Sequence, residues 1–303
     1  QTSNPLPTNP EQVVLENEIR NITSVESLPD GKTRLTVNKP LSFSHQGAGQ
    51  ERGEAGLLTR NILINTDITG VDESTLESSQ LVSNRNGRKF AHTMFMFGAS
   101  GNVQYTEFKY MGTFRALGRY PIHTHQMSDT SRGMVIRGNA VWFSGNRAYT
   151  LHDSNGILLE DNVSFNTVAS PYFIEHKEPP DVLPPQDNIL SHNLGVESIP
   201  ALVPSEPAIS GVTGVMDDTA IFWFDQFLYQ TVVGNVAVGS WTFSGPTGRS
   251  AGFSLDEHSA FAVSGKPAYF FFRKNEAHST RNFGVLTWIS PNEPFDMVGF
   301  HVW

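Results

Sequence analysis

From Val13 onward, apolar and polar residues alternate over short runs, as in Thr33-Arg-Leu-Thr-Val, Asn102-Val-Gln-Tyr-Thr-Glu-Phe and Ala268-Tyr-Phe-Phe-Phe-Arg. A period of two places successive side chains on opposite faces of a strand, so each run predicts a strand with one buried face. No window combines a 3.6-residue period with capping signals at both ends. The chain therefore reads as all-β. Residues 1–12 (QTSNPLPTNPEQ) predict an extended arm, 13–66 a small N-terminal β region and 67–303 the main body.

A loose repeat defines that body. MVIRGNAVWFSGNRAYTLHDSNG (134–156) and LLEDNVSFNTVASPYFIEH (158–176) each run from an apolar strand to an Asn, through a polar bend, into a second apolar strand. The Asn recurs at Asn139, Asn162, Asn193, Asn235 and Asn275, at intervals of 23, 31, 42 and 40 residues. A unit of ~20–25 residues fits one coil of a right-handed parallel β-helix, whose successive coils lie ~4.8 Å apart. An Asn at the same bend of every coil predicts a hydrogen-bonded ladder. The longer intervals predict loop insertions at 176–188 and 196–218, where prolines exclude central strands. The competing arrangement is a β-sandwich in which Asn-containing turns recur without a common phase.

Composition narrows the function. Cysteine is absent, which excludes disulfides, zinc–thiolate sites and thiol catalysis. The formal charge is −9 with no basic run, so a nucleic-acid partner is not expected. The most apolar stretch, 219–241, is interrupted by Asp225, Gln226, Gln230 and Asn235, so no membrane span is expected. The chain opens on Gln1 without a basic-then-apolar leader, which predicts a processed N-terminus. Sequons at Asn21 and Asn162 fit a secreted or extracellular glycoprotein.

Ten histidines are present. His123 and His125 are two apart and share one face of a strand. Matching the apolar–His pattern of Pro-Ile-His123 and Thr-Leu-His152, and adding one 23-residue coil to reach Phe-Ile-Glu175, stacks the three segments on neighbouring rungs. That predicts His123, His125, His152 and Glu175 as ligands of a divalent metal, zinc first, with manganese, iron or copper as alternatives. Asp153 and His176 are then expected to point to the opposite face. Without a metal, the same residues form a solvated His–Glu face or a set of acid–base groups, with His123, His152 and Glu175 as the catalytic candidates. Arg119, Arg132 and Arg137 are candidates for holding an anionic substrate group, such as a carboxylate, through bidentate contacts. Asp217-Asp218 and Asp256-Glu257-His258 are weaker acid–base or cation candidates. Trp142, Trp223, Trp241 and Trp288 are candidates for stacking on sugar rings, with core packing as the alternative for each.

Several strings carry a family resemblance. Glu54-Ala-Gly-Leu-Leu-Thr-Arg-Asn-Ile, Phe108-Lys-Tyr-Met-Gly, Gly118-Arg-Tyr-Pro-Ile-His-Thr-His, Val135-Ile-Arg-Gly-Asn-Ala, Gly156-Ile-Leu-Leu-Glu-Asp-Asn-Val and Tyr172-Phe-Ile-Glu resemble the cell migration-inducing hyaluronan-binding proteins and their transmembrane relatives. The most specific of these is GRYPIHTH, although Thr124 stands where the relatives carry Phe. The resemblance implies a parallel β-helix preceded by the end of a β-rich module named for its glycines. It also implies binding and depolymerisation of hyaluronan outside cells. The resulting expectation is a secreted protein that binds, and as a hydrolase or lyase cleaves, an extracellular uronate-containing polysaccharide. The alternative is a non-enzymatic structural or adhesive β-helix with a stabilising metal.

Overall fold

The computed structural model describes residues 16–77, 89–114, 116–176, 185–200, 219–225, 227, 229–240, 250–258, 270–289 and 295–303. The chain divides between Ala55 and Gly56 into two units. In the first, β1 (Ile22–Ser27) pairs antiparallel with β2 (Thr33–Val37). Glu18 is the hub of its polar contacts: its carboxylate accepts from the backbone N–H groups of Ser42 and Phe43, contacts His45 at 2.9 Å and pairs with Arg20.

The second unit begins with β3 (Ile62–Asn65), the short helix α1 (Glu73–Glu77), β4 (Phe95–Met96), β5 (Val103–Gln104) and β6 (Thr106–Lys109). It continues with β7 (Ile122–Ser128), β8 (Val135–Arg137), β9 (Ala140–Trp142), β10 (Tyr149–Ser154), β11 (Leu158–Glu160) and β12 (Val163–Val168). Next come β13 (Tyr172–Glu175), β14 (Asn188–Ser191), β15 (Leu194–Ile199), β16 (Thr219–Asp225), β17 (Gln230–Val233) and β18 (Val236–Ser240). The last are β19 (Ser250–His258), β20 (Phe270–Arg273), β21 (Glu276–His278), β22 (Phe283–Ile289), β23 (Phe295–Val298) and β24 (His301–Val302). From β4 onward the chain visits three parallel sheets in a fixed rotation. The first holds β4, β7, β10, β13, β16, β19 and β22; the second holds β5, β8, β11, β14, β17, β20 and β23; the third holds β6, β9, β12, β15, β18, β21 and β24, with β3 at its edge. This winding is consistent with a parallel β-helix. The strands around Val135, Leu159, Leu190, Val233 and Phe271 share the second sheet, as the repeat requires.

The Asn ladder stands at the bend between the second and third sheets. Asn139, Asn162, Asn193 and Asn235 each donate from Nδ2 to Oδ1 of the next Asn, at 3.0, 2.9, 2.9 and 3.0 Å, ending on Asn275. Each receiving Oδ1 also accepts the backbone N–H of the preceding Asn. All five are fully buried. The residue before each one is left-handed: Gly138, Asp161, His192, Gly234 and Lys274, with φ between 51° and 66°. That conformation turns the chain sharply enough to bring the Asn inward.

The core is built from in-register columns. Tyr149, Tyr172, Phe222 and Phe253 stack with centroids 4.9, 4.5 and 4.8 Å apart. Room for these rings comes from small residues in the third sheet, Ser164, Gly195, Ala237 and Ala277, which form one register column. A Cβ on Gly195 would lie 3.2 Å from the Tyr172 ring.

Several expectations shift. β3 pairs parallel with β6, so residues 56–66 join the second unit, and the boundary expected at 66 falls earlier. β15 runs to Ile199 and β14 starts at Asn188, so both expected insertions lose a residue or more to strands. Asn162 is enclosed in the ladder, which removes its sequon as a glycan acceptor in the folded chain; Asn21 is exposed.

Candidate functional site

The face of the first sheet turned away from the core carries two columns of side chains. One runs Met96, His125, His152, Glu175, Asp225, Asp256; the other runs His123, Thr150, Phe173, Trp223, Ser254. The register thus pairs His152 with His125, whereas motif matching aligned it with His123. His123, two residues before His125, keeps the same face and the three imidazoles still converge. Ring centroids lie 5.0 Å apart for His123–His125, 4.7 Å for His125–His152 and 6.1 Å for His123–His152. One nitrogen from each ring lies within 4.8 Å of the others, and the Nδ1 atoms of His125 and His152 are 2.9 Å apart.

The chemistry of His123 is fixed by its surroundings. Its Nδ1 lies 3.1 Å from the Gly118 carbonyl, which only accepts, so Nδ1 carries the proton. Nε2 is left with its lone pair, buried and without a protein hydrogen-bond partner. Burial, reinforced by the His125 and His152 rings, pushes the His123 pKa down to about 3, against the opposing pull of the Gly118 carbonyl and Glu175. A neutral imidazole with a bare, buried nitrogen is the form that ligates a metal.

Glu175 sits in register beside His152, but its carboxylate contacts Arg147 Nη1 at 3.3 Å and does not complete the histidine set. Arg147 lies 3.5 Å from the Phe173 ring and donates to the Tyr120 hydroxyl at 3.2 Å. Burial works against its cation, but Tyr120, Glu175 and Asp225 outweigh this and hold its pKa above the usual guanidinium value. Arg147 carries no signal in the sequence because it precedes β10, where alternation gives no information.

Asp153 and His176 do not turn away as expected. Asp153 Oδ1 lies 2.5 Å from His176 Nδ1 and its Oδ2 lies 2.9 Å from His152 Nε2, so both residues back the triad. The pairing explains the reversal. Between the pairs His152–His125 and Ser154–Ser128, β7 spends two residues and β10 one, and Asp153 adopts φ 43°. A bulge of this kind re-aims a side chain that strict alternation would send to the other face.

The arginine candidates separate. Arg119 is exposed and donates to His92 Nε2 at 2.9 Å. Arg132 pairs with Asp129 and Asp187, both at 2.8 Å, and Arg137, on the second sheet, pairs with Glu160 at 2.7 Å. Trp142 is a core residue donating to Glu107, while Trp223 lies half-buried on the site face. Asp217, Asp218 and Trp241 lie outside the described residues, as do the side chains of Glu257, His258 and Trp288. Among the described residues, no helix is long and apolar enough to cross a membrane.

Comparison with known proteins places this geometry. The CEMIP β-helix family matches residues 89–285, a span that contains the whole site. Mouse Fibrocystin-L is 31% identical over 214 residues, 60% of this chain and 5% of that protein. Human cell surface hyaluronidase CEMIP2 is 27% identical over 286 residues, 84% of this chain and 20% of that protein. A G8 domain-containing protein of Dictyostelium discoideum is 28% identical over 236 residues, 75% of this chain and 14% of that protein. The chain thus spans at most a fifth of these three relatives. With the family match covering well over half of its length, the chain belongs to the CEMIP β-helix family.

Proposed function

We propose that this chain binds, and cleaves, an extracellular uronate-containing polysaccharide of the hyaluronan type on the outer face of its first sheet, at a divalent metal held by His123, His125 and His152. The observation carrying this reading is the bare, buried Nε2 of His123 within a cluster of three convergent imidazole nitrogens. Nitrogens bound to one zinc ion at ~2.0–2.1 Å lie about 3–4 Å from one another, so the cluster needs little rearrangement. An all-imidazole set suits zinc first, then copper, iron or manganese. When bound, such an ion supplies a Lewis acid that polarises a substrate oxygen.

The remaining roles fall to the chain's own groups. Glu175 offers a carboxylate one strand from His152, and Arg147 holds it in place. Arg119, exposed on the approach to β7, offers a guanidinium to a uronate carboxylate, and Trp223 offers an aromatic surface to a sugar ring. Parallel coils present these groups at regular steps, which suits a polymer running along the sheet. The coils are taken as right-handed, the hand of nearly all parallel β crossovers. An extracellular or cell-surface location fits the relative named as a cell surface hyaluronidase.

Metal analysis of the purified protein, together with size-exclusion assays on hyaluronan, chondroitin and algal polyuronates, tests the reading. His152→Ala is expected to lose both bound metal and chain cleavage while remaining folded. Stoichiometric metal without cleavage of any glycan would favour the structural alternative, and a metal-free, inactive protein would refute the site.

A further inference from the structure

The bulge at Asp153 builds a second layer behind the histidines. Asp153, His176 and His152 are 4%, 5% and 8% exposed, so a carboxylate sits between two imidazoles with little water. Its Oδ1 takes His176 Nδ1 at 2.5 Å and its Oδ2 faces His152 Nε2 at 2.9 Å, off the axis of a straight hydrogen bond. The opposite edge of His152 turns Nδ1 towards His125. One nitrogen of His152 thus faces a carboxylate and the other faces the triad. A buried carboxylate beside an imidazole nitrogen favours the tautomer with its proton there, because that N–H compensates the charge. The left-handed backbone at Asp153 is uncommon for a non-glycine residue, and such strain persists where the surroundings impose it.

We propose that Asp153, itself anchored by His176, is the positioning residue of the site: it holds the His152 proton on Nε2 and so presents Nδ1 to the metal. The assignment rests on the metal reading above, but half of its test does not. In the metal-free protein, two-bond 1H–15N correlations should show His152 as the Nε2–H tautomer. Asp153→Asn removes the charge with almost no change of shape, and its amide can turn its oxygen or its NH2 to His152. The tautomer is then expected to become mixed or to reverse. Outer-shell partners of this kind usually alter metal affinity by 10–100-fold, so Asp153→Asn should weaken zinc binding by that factor in a chelator competition. The ligand-field spectrum of the cobalt-substituted protein should shift with it. Asp153→Glu keeps the charge and should recover part of the affinity.

An Nδ1–H tautomer in the native protein overturns the assignment, as does an Asp153→Asn protein with unchanged tautomer, zinc affinity and cobalt spectrum. A native protein that binds neither zinc nor cobalt but shows the Nε2–H tautomer, lost in Asp153→Asn, would refute the metal reading while leaving Asp153 as the residue that orients His152. If Asp153→Asn fails to fold, His176→Gln, which loosens Asp153 from behind, should move the same two readouts by less. If it moves neither, the proposal fails.

Discussion

Asn162→Ala removes the centre of the ladder, and its cost can be worked bond by bond. The amide makes four hydrogen bonds: Oδ1 accepts from Asn139 N and Nδ2, both at 3.0 Å, and Nδ2 donates to Ile136 O and Asn193 Oδ1, both at 2.9 Å. Alanine leaves the Asn139 backbone N–H without this acceptor in a site that water does not reach. Asn139 Nδ2 keeps the Val103 carbonyl, and Asn193 Oδ1 keeps the Asn162 backbone N–H. One stranded donor costs about 1–3 kcal/mol and each partly compensated loss somewhat less, so the total should be about 2–4 kcal/mol. Asn162→Asp should be worse, because a carboxylate oxygen would replace Nδ2 opposite two acceptors. Urea unfolding followed by tryptophan fluorescence measures both. The double variant Asn139→Ala/Asn162→Ala should cost clearly less than the sum of its singles, since neighbours in one network are not independent. A loss below about 0.5 kcal/mol, or strict additivity, would refute the account of the ladder as a connected chain.

The ladder was legible because geometry forces one residue type to recur at one bend of every coil, whatever the loops between do. The alternation was legible for the same reason, as Ile122, Tyr149, Tyr172 and Phe222 all turn inward at 0% exposure. Register was not. A slip of two residues leaves every side chain on its own face, so aligning His152 with His123 satisfied the pattern as well as aligning it with His125. The coil from β7 to β10 also carries the 3-10 turn Asp129–Ser131 and the bulge, which separate His125 from His152 by 27 residues where the next rung takes 23. Asp153 was misplaced because a left-handed residue breaks the alternation on which the inference rested. The boundary at Ala55 was invisible because β3 finds its partner β6 across a long separation in the chain.

Two further perturbations test the electrostatics. Glu18 feels burial pushing its pKa up, but the N–H groups of Ser42 and Phe43, with His45, bring it down to about 2 from the ordinary 4.5. A carboxylate depressed in the folded state stabilises above its unfolded pKa and stops doing so as pH falls through its folded one. The Ser42 and Phe43 amide signals should therefore hold their positions at pH 5 and shift as the pH approaches 2. In Glu18→Gln that titration should vanish, and Ser42 and Phe43 amide signals titrating near pH 4.5 in the native chain would contradict the assignment. Arg147 and Glu175 form the second test. The Glu175 side chain is 2% exposed and that of Arg147 is 17% exposed, so Arg147→Met takes a cation from a carboxylate that water barely reaches. Breaking one side of a buried pair costs about 3–5 kcal/mol, and the partial exposure of Arg147 puts the expectation at the lower end. Adding Glu175→Gln removes the stranded charge and should recover most of the loss in urea unfolding. If Arg147→Met alone is no less stable than the double variant, Glu175 is not held by Arg147, and the carboxylate beside the triad loses its anchor.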